Sequence, residues 1–296
     1  AAWGAHHTTW HLVMNTPTWG EICIYYVILV LVMTHQRQRT HRRLYWALFL
    51  SLSLIAYHFY TPRPHKDMLT VYQPYVGQGD AALIVLPNDE TILIDAGGSF
   101  EPEGWDPGQS VLAPLLRSQG RKHIDLAVVS HPHPDHLNGF LYLSKNFHIR
   151  EFWWNGMASD LPILQKIIQK IEHKGGITKT LPHIREQKRA NVHLEMLHPK
   201  SVHAHGYFPA MHLNDNSIVL RLTYKKASIL FSGDIEKDAE AHLLSNIKPT
   251  DILKVAHHGS RSSSTPDFVK ALSPQLAFIS VGKNNRFGLP NTDVLE

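Results

Sequence analysis

Apolar and polar positions divide the chain into two kinds of sequence. Trp19 to Met33 is apolar apart from Glu21, and Leu44 to Tyr60 contains no charged residue. Both runs predict helices at or just below the length of a membrane span, with a buried globular helix as the alternative for each. Between them, Thr34 to Arg43 holds four arginines. A short basic loop of that kind stays cytoplasmic, so two transmembrane helices would leave the rest of the chain on the other face. Trp19, Tyr45, Trp46, Tyr57 and Tyr60 fit interface anchors. Pro62 and Pro64 then stop any helix, and Thr61 to Lys66 reads as a linker. The organisation expected is a membrane segment over 1–65 and a second domain over 66–296. The start at Ala1 without Met and the stop just past Asp293 lead us to expect a piece of a longer membrane protein.

Past the linker the pattern changes to short apolar runs alternating with amphipathic ones. Strands are predicted at 68–73, 81–86, 91–95, 124–129, 149–154, 193–197, 217–224, 227–232, 251–256 and 276–281. Helices are predicted at 109–119, 137–145, 160–173, 236–246 and 266–272. Strands grouped between helices on both outer faces fit a four-layer αββα sandwich. The loop 98–108, with Trp105, either overhangs a site or is a plain surface turn.

Composition adds little. The chain has 296 residues, enough for one large domain with appendages, and a net charge of +4, mild for a nucleic-acid binder. A single cysteine, Cys23, excludes a disulfide framework and a cysteine metal cluster.

The chemistry is concentrated in Ser130-His131-Pro132-His133-Pro134-Asp135-His136, which follows the apolar run Ile124 to Val129 and precedes a helical pattern. The two prolines hold the preceding residues extended, so alternate imidazoles can face one side while Asp135 and His136 follow around the bend. Imidazole suits zinc and other first-row ions, and carboxylate suits harder ions such as manganese. A histidine-rich surface turn is the competing reading in a chain with 22 His. Against it, other apolar runs end in similar groups: Asp95 before Gly97, Asp234 after Gly233, and His257-His258-Gly259-Ser260 after Asp251 to Ala256.

The order Asp95, His131-x-His133-x-Asp135-His136, Asp234, His257 resembles the metallo-β-lactamase superfamily of binuclear hydrolases. Val76-Gly77-Gln78-Gly79-Asp80, Asn214-Asp215-Asn216-Ser217, Ser232-Gly233-Asp234 and His257-His258-Gly259-Ser260 narrow this: residues 68–288 resemble the ComEC-type DNA-internalisation proteins of natural competence. The resemblance implies a metallo-β-lactamase-like sandwich attached to a polytopic channel in the inner membrane, with the hydrolase domain on the extracytoplasmic side. It implies a nuclease for the strand of incoming DNA that is not transported, working with other competence proteins. It also implies two divalent ions, zinc or manganese, on His131, His133, Asp135, His136, Asp234 and His257, with Asp234 bridging and Asp135 moving a proton. Asp80, Asp95, Asn216, His258 and Ser260 would stand behind the ligands or face substrate, Asp95 orienting a ligand histidine. His257 and His258 are interchangeable at this level.

Three departures accompany the resemblance. Tyr75 stands where the family has Asp, Leu289 replaces the His of a Gly-His-Pro, and none of His193, His198, His203, His205 or His212 lies in the setting of the usual further ligand. Lys254, Arg261, Lys283 and Arg286 are candidates to hold phosphates. A non-catalytic module that guides DNA, or a hydrolase of a small ester or nucleotide, stays open beside the nuclease, because the fold says little about substrate.

Overall fold

The computed structural model describes residues 19–35, 42–60, 67–99, 104–157, 161–180, 183, 186–199 and 211–296. Helices α1 (Trp19–His35) and α2 (Arg42–Tyr60) form on the two apolar runs and pack on each other. The expectation of transmembrane helices is not met: among the described residues, no helix is long and apolar enough to cross a membrane. The 19 residues of α2 begin with Arg42 and Arg43 and include Ser51, Ser53 and His58. Most of the basic loop, and the linker 61–66, lie outside the described residues.

Twelve strands form two sheets among the described residues. The first runs in sequence order through β1 (Thr70–Tyr72), β2 (Ala82–Val85), β3 (Thr91–Ile94), β4 (His123–Val128), β5 (His148–Trp154) and β6 (Ile177–Thr180). It starts antiparallel, and from β3 onward each pair is parallel. The second is built from β7 (Gln187–Arg189), β8 (Val192–His198), β9 (Val219–Tyr224), β10 (Ala227–Phe231), β11 (Ile252–Lys254) and β12 (Leu276–Phe278). Its last two pairings are parallel.

Interior strands such as β2 and β3 read as unbroken apolar runs because both faces are covered. Ile92, Ile94, Leu126 and Val128 of the first sheet pack between the sheets against Leu194, Leu220, Leu222 and Phe231 of the second. On the other face, Leu93 and Ala127 lie under α3 (Ala113–Ser118), α5 (Gly139–Asn146) and α6 (Pro162–His173), which contribute Leu116, Phe140, Leu143 and Leu164. Outside the second sheet, Leu230 and Leu253 meet Ala239 and Leu243 of α7 (Lys237–Leu244) and Phe268 and Leu272 of α8 (Pro266–Leu272). The four-layer αββα order is therefore the observed one.

Some predicted bounds shift. The helix expected at 109–119 is entered through a π turn at Gly108–Leu112, and that at 137–145 is two helices, α4 (Pro134–Leu137) and α5. Strands β6 and β7 escaped the pattern because Ile177-Thr-Lys-Thr and Gln187-Lys-Arg are polar edge strands, whose identity comes from their neighbours.

Candidate metal centre

The site assembles where strands of both sheets end. After β4, His133 is extended (φ −73°, ψ 149°) and α4 opens at Pro134, whose missing N–H has no role at a first helical position. Asp135 and His136 thus fall in a single helical turn, both buried. Asp95 follows β3 in left-handed backbone, and its carboxylate accepts from Ser130 N at 2.7 Å and lies 2.9 Å from His136 Nδ1. Asp234 follows β10 behind Gly233, and its Oδ2 is 3.1 Å from His136 Nε2. His136 is therefore clamped between two carboxylates.

Close backbone approach brings Asp80 to the same place. Asp80 N donates to Asp135 O at 3.2 Å, and a Cβ on Gly79 would lie 2.3 Å from that oxygen. At φ +147°, position 79 accepts glycine for conformational reasons as well.

His258 donates Nδ1–H to Ser280 O at 2.8 Å, which turns Nε2 toward Asp135 Oδ2 and Asp234 Oδ2, each 3.4 Å away. His131 has the hydroxyls of Ser130 and Ser217 at 3.1 and 3.2 Å from Nδ1, and its Nε2 is 2.9 Å from His133 Nδ1 and 4.0 Å from Asp234 Oδ2. Ser217 Oγ also accepts from Asp234 N at 3.1 Å, so one hydroxyl joins two site residues.

Charge follows from this geometry. Burial would lower His136, but Asp234 and Asp95 override it and hold the ring protonated well above the ordinary range. The same contest raises His258 to about 10 through Asp234 and Asp80. Burial would raise Asp234, yet His136 and His258 hold it well below the carboxylate range. His131 goes the other way: burial, then repulsion from His136, pushes it well below the usual imidazole value. Burial raises Asp95.

The centre fits a divalent cation. Oδ1 of Asp80, Oδ1 of Asp234 and Nε2 of His258 are buried without a hydrogen bond, and Oδ2 of Asp80 is met by the Lys254 ammonium. Asp80, His136, Asp234 and His258 each offer a ligand atom within 4.8 Å of the others. Buried lone pairs with no donor are costly unless a cation takes them, and mixed imidazole and carboxylate suits zinc or manganese. One cation is built in: the Lys254 ammonium, buried, contacts Asp80 as an ion pair, stands 3.7 Å from Asp234 Oδ1 and donates to Gly233 O at 3.0 Å.

Of the residues read from sequence, His131, His133, Asp135, His136, Asp234, Asp80, Asp95 and His258 converge. His257 stands at the rim, where its Nδ1 is 3.0 Å from Glu236 Oε1, and not within the group formed by Asp80, His136, Asp234 and His258. His257 and His258 both have left-handed backbone, and this reversal sends their rings to different sides, which spacing alone does not disclose. Asn216 is a turn residue donating to the carbonyls of Met211 and His212. Its neighbour Asp215 caps α7, accepting from Glu236 N and Ala239 N. Ser260 bonds to Ser262 in the turn after β11. Lys254 is an internal counter-charge and has no access to a phosphate, and Arg261 pairs with Asp293. His193 meets Glu186 and His198 bonds to Asp215 O; His203 and His205 lie outside the described residues. Ser130, Ser217 and Ser280 were missed, since a serine beside a histidine carries no distinctive sequence signal.

Residues 74–156 match the metallo-beta-lactamase superfamily. ComE operon protein 3 of Bacillus subtilis is 32% identical over 239 residues, covering 75% of this chain and 29% of that protein. Recombination protein 2 of Haemophilus influenzae is 27% identical over 222 residues, covering 75% and 25%. Competence protein ComA of Neisseria gonorrhoeae is 26% identical over 263 residues, covering 84% and 32%. The chain thus spans less than a third of the length of each of these curated relatives. With its strand-end histidines and aspartates in a two-sheet metallo-β-lactamase fold, and with relatives of this kind, the chain belongs to the ComEC-type competence proteins.

Proposed function

We propose that this chain is the metal-dependent nuclease part of a membrane DNA-uptake protein, hydrolysing phosphodiester bonds in the strand of incoming DNA that is not transported. The observation that carries the reading is the buried cluster of Asp80, His136, Asp234 and His258, each of which offers a ligand atom within 4.8 Å of the others. The names of the relatives, two of which refer to competence or the ComE operon, supply the setting.

Two divalent ions, zinc or manganese, would be held by His131, His133 and Asp234 on one side and by Asp135, His136, His258 and Asp234 on the other. Bound there, they would supply Lewis-acid polarisation of a phosphodiester oxygen and a water acidified toward neutrality. The chain's own residues prepare this. Asp95 fixes the ring of His136 through Nδ1, and Ser280 O fixes that of His258, so each presents Nε2 inward. Asp135, beside His258, is placed to pass a proton.

We place the protein in the inner membrane with the hydrolase domain, residues 66–296, on the extracytoplasmic side. Supporting the membrane setting, α1 and α2 expose Tyr25, Val30, Met33, Trp46 and Phe49; the side is taken from the resemblance and not from these helices. Partners would be DNA, the channel portion of the same polypeptide and other competence proteins.

A second reading, a module that binds and guides DNA without cutting it, is favoured by Ser217 standing beside His131 with no further histidine at that position among the described residues. Manganese- and zinc-dependent cleavage of end-labelled linear DNA by the full chain separates the two. Cleavage abolished in His131→Ala/Asp135→Ala supports the nuclease; a folded, metal-loaded chain that leaves DNA intact refutes it in favour of the guide.

A further inference from the structure

Within the described residues from 67 onward, the exposed aromatic side chains are Tyr75, Trp105 and Phe287, between 48% and 59% accessible. Single exposed aromatics are ordinary on a protein surface. These three, far apart in sequence, lie on loops that touch. Tyr75 Oη accepts from Lys283 N at 3.1 Å, and Gln78 Oε1 accepts from Gly282 N at 3.0 Å. The Trp105 ring lies against Gly77, so close that a Cβ there would sit 3.2 Å from it. Phe287 follows four residues after Lys283 and carries the Arg286 guanidinium over its ring, 5.0 Å from the centroid.

The same loops build the metal centre. Loop 75–80 begins with Tyr75 and ends with Asp80, and Ser280, just before Gly282, holds His258 with its carbonyl and Gly79 with its hydroxyl. Aromatic faces and the exposed cations Lys283 and Arg286 therefore share a rim beside the hydrolytic site. An acid is near as well: Asp293 is tied to Arg261 at 2.9 Å.

We infer that this rim is a stacking platform for the bases of an unpaired nucleic-acid strand, which delivers a single-stranded end to the metal centre. The reason is accessibility. Inside a duplex the base faces are covered by their neighbours, whereas an unpaired strand offers each base as a flat apolar surface and its phosphates to the cations. This inference rests on the nuclease reading above.

The test is fluorescence anisotropy with the full chain in EDTA at physiological ionic strength. The probes are oligothymidine, an abasic single strand of equal length and a blunt duplex of equal length. Stacking predicts that oligothymidine binds at least tenfold tighter than the abasic strand, which has the same charge. Tyr75→Ala and Trp105→Ala should each weaken oligothymidine about fivefold or more and leave the abasic strand unchanged. Tyr75→Phe and Phe287→Trp, which keep a ring, should bind as wild type, and circular dichroism verifies that each variant is folded. Equal affinity for intact and abasic strands, or variants that weaken both alike, overturns the platform; a rim that ignores nucleic acid would point to a protein contact instead. Manganese-dependent DNA cleavage by wild type distinguishes the failures. Cleavage without base preference sinks the platform alone, and neither binding nor cleavage sinks the nuclease reading with it.

Discussion

Replacing Lys254 with Met keeps the side-chain stem and removes a buried charge on which two carboxylates depend. Lys254 and Asp80 are 3% and 4% accessible, and the ammonium also stands 3.7 Å from Asp234 Oδ1. Burial would lower the lysine, but Asp80 and Asp234 hold it above its ordinary value, so it is an ammonium throughout the neutral range. Deleting one partner of a buried pair costs about 3–5 kcal/mol, because the remaining charge is stranded away from water. In a chain of this size that corresponds to a fall in melting temperature of about 10 °C. The assay is thermal and urea unfolding of the full chain in EDTA for Lys254→Met, Asp80→Asn and the double variant. The double variant should lose clearly less than the two single losses together, since removing both charges strands neither. Adding manganese or zinc should stabilise Lys254→Met more than wild type, because a bound cation then replaces the missing one. Strictly additive losses, or a Lys254→Met chain as stable as wild type in EDTA, would refute the counter-charge role.

Three further outcomes are expected. Asp95→Asn should lower divalent-metal affinity about 10- to 100-fold, read by calorimetry, because His136 loses the carboxylate that fixes its ring; unchanged affinity would remove Asp95 from that role. His258→Ala should abolish much of the metal binding that His257→Ala preserves, since only His258 points Nε2 at Asp135 and Asp234; the reverse ranking would exchange their roles. His198, bonded through Nε2 to Asp215 O, is lowered from 6.5 to about 4 by burial. Its folded value lies below its unfolded one, so its contribution is complete above about pH 6.5 and is lost as pH falls toward 4, where the total reaches about 3 kcal/mol. His198→Gln should flatten urea stability across that window, and an unchanged pH slope would count against this assignment.

Much of the fold was legible because burial leaves a linear trace. A strand covered on both faces is apolar throughout, as Ile92 to Ile94 and Leu126 to Val128 are, and an amphipathic helix such as α6 repeats its apolar positions at helical spacing. Edge strands leave no such trace, so β6 and β7 became strands only through pairing with β5 and β8. The membrane reading shows a different limit. Apolar runs were found where helices form, but whether a helix can cross a membrane depends on its polar residues too, and α2 carries Arg42, Arg43, Ser51 and Ser53.

At the site, the sequence by itself determined the chemistry: His131, His133, Asp135 and His136 are fixed by a proline-punctuated turn, and Asp95 and Asp234 by the ends of apolar strands. Only tertiary structure decided which groups share a cavity. Left-handed backbone at His257 and His258 sends one ring to Glu236 and the other to Asp234. Lys254, indistinguishable in sequence from a solvated lysine, is buried against Asp80, a residue 174 positions earlier that reaches it through the close approach at Gly79. Residue type is a local property and can be read along the chain. The dielectric surroundings and partners that set a charge's role are made by segments distant in sequence, and they exist only once both sheets have packed.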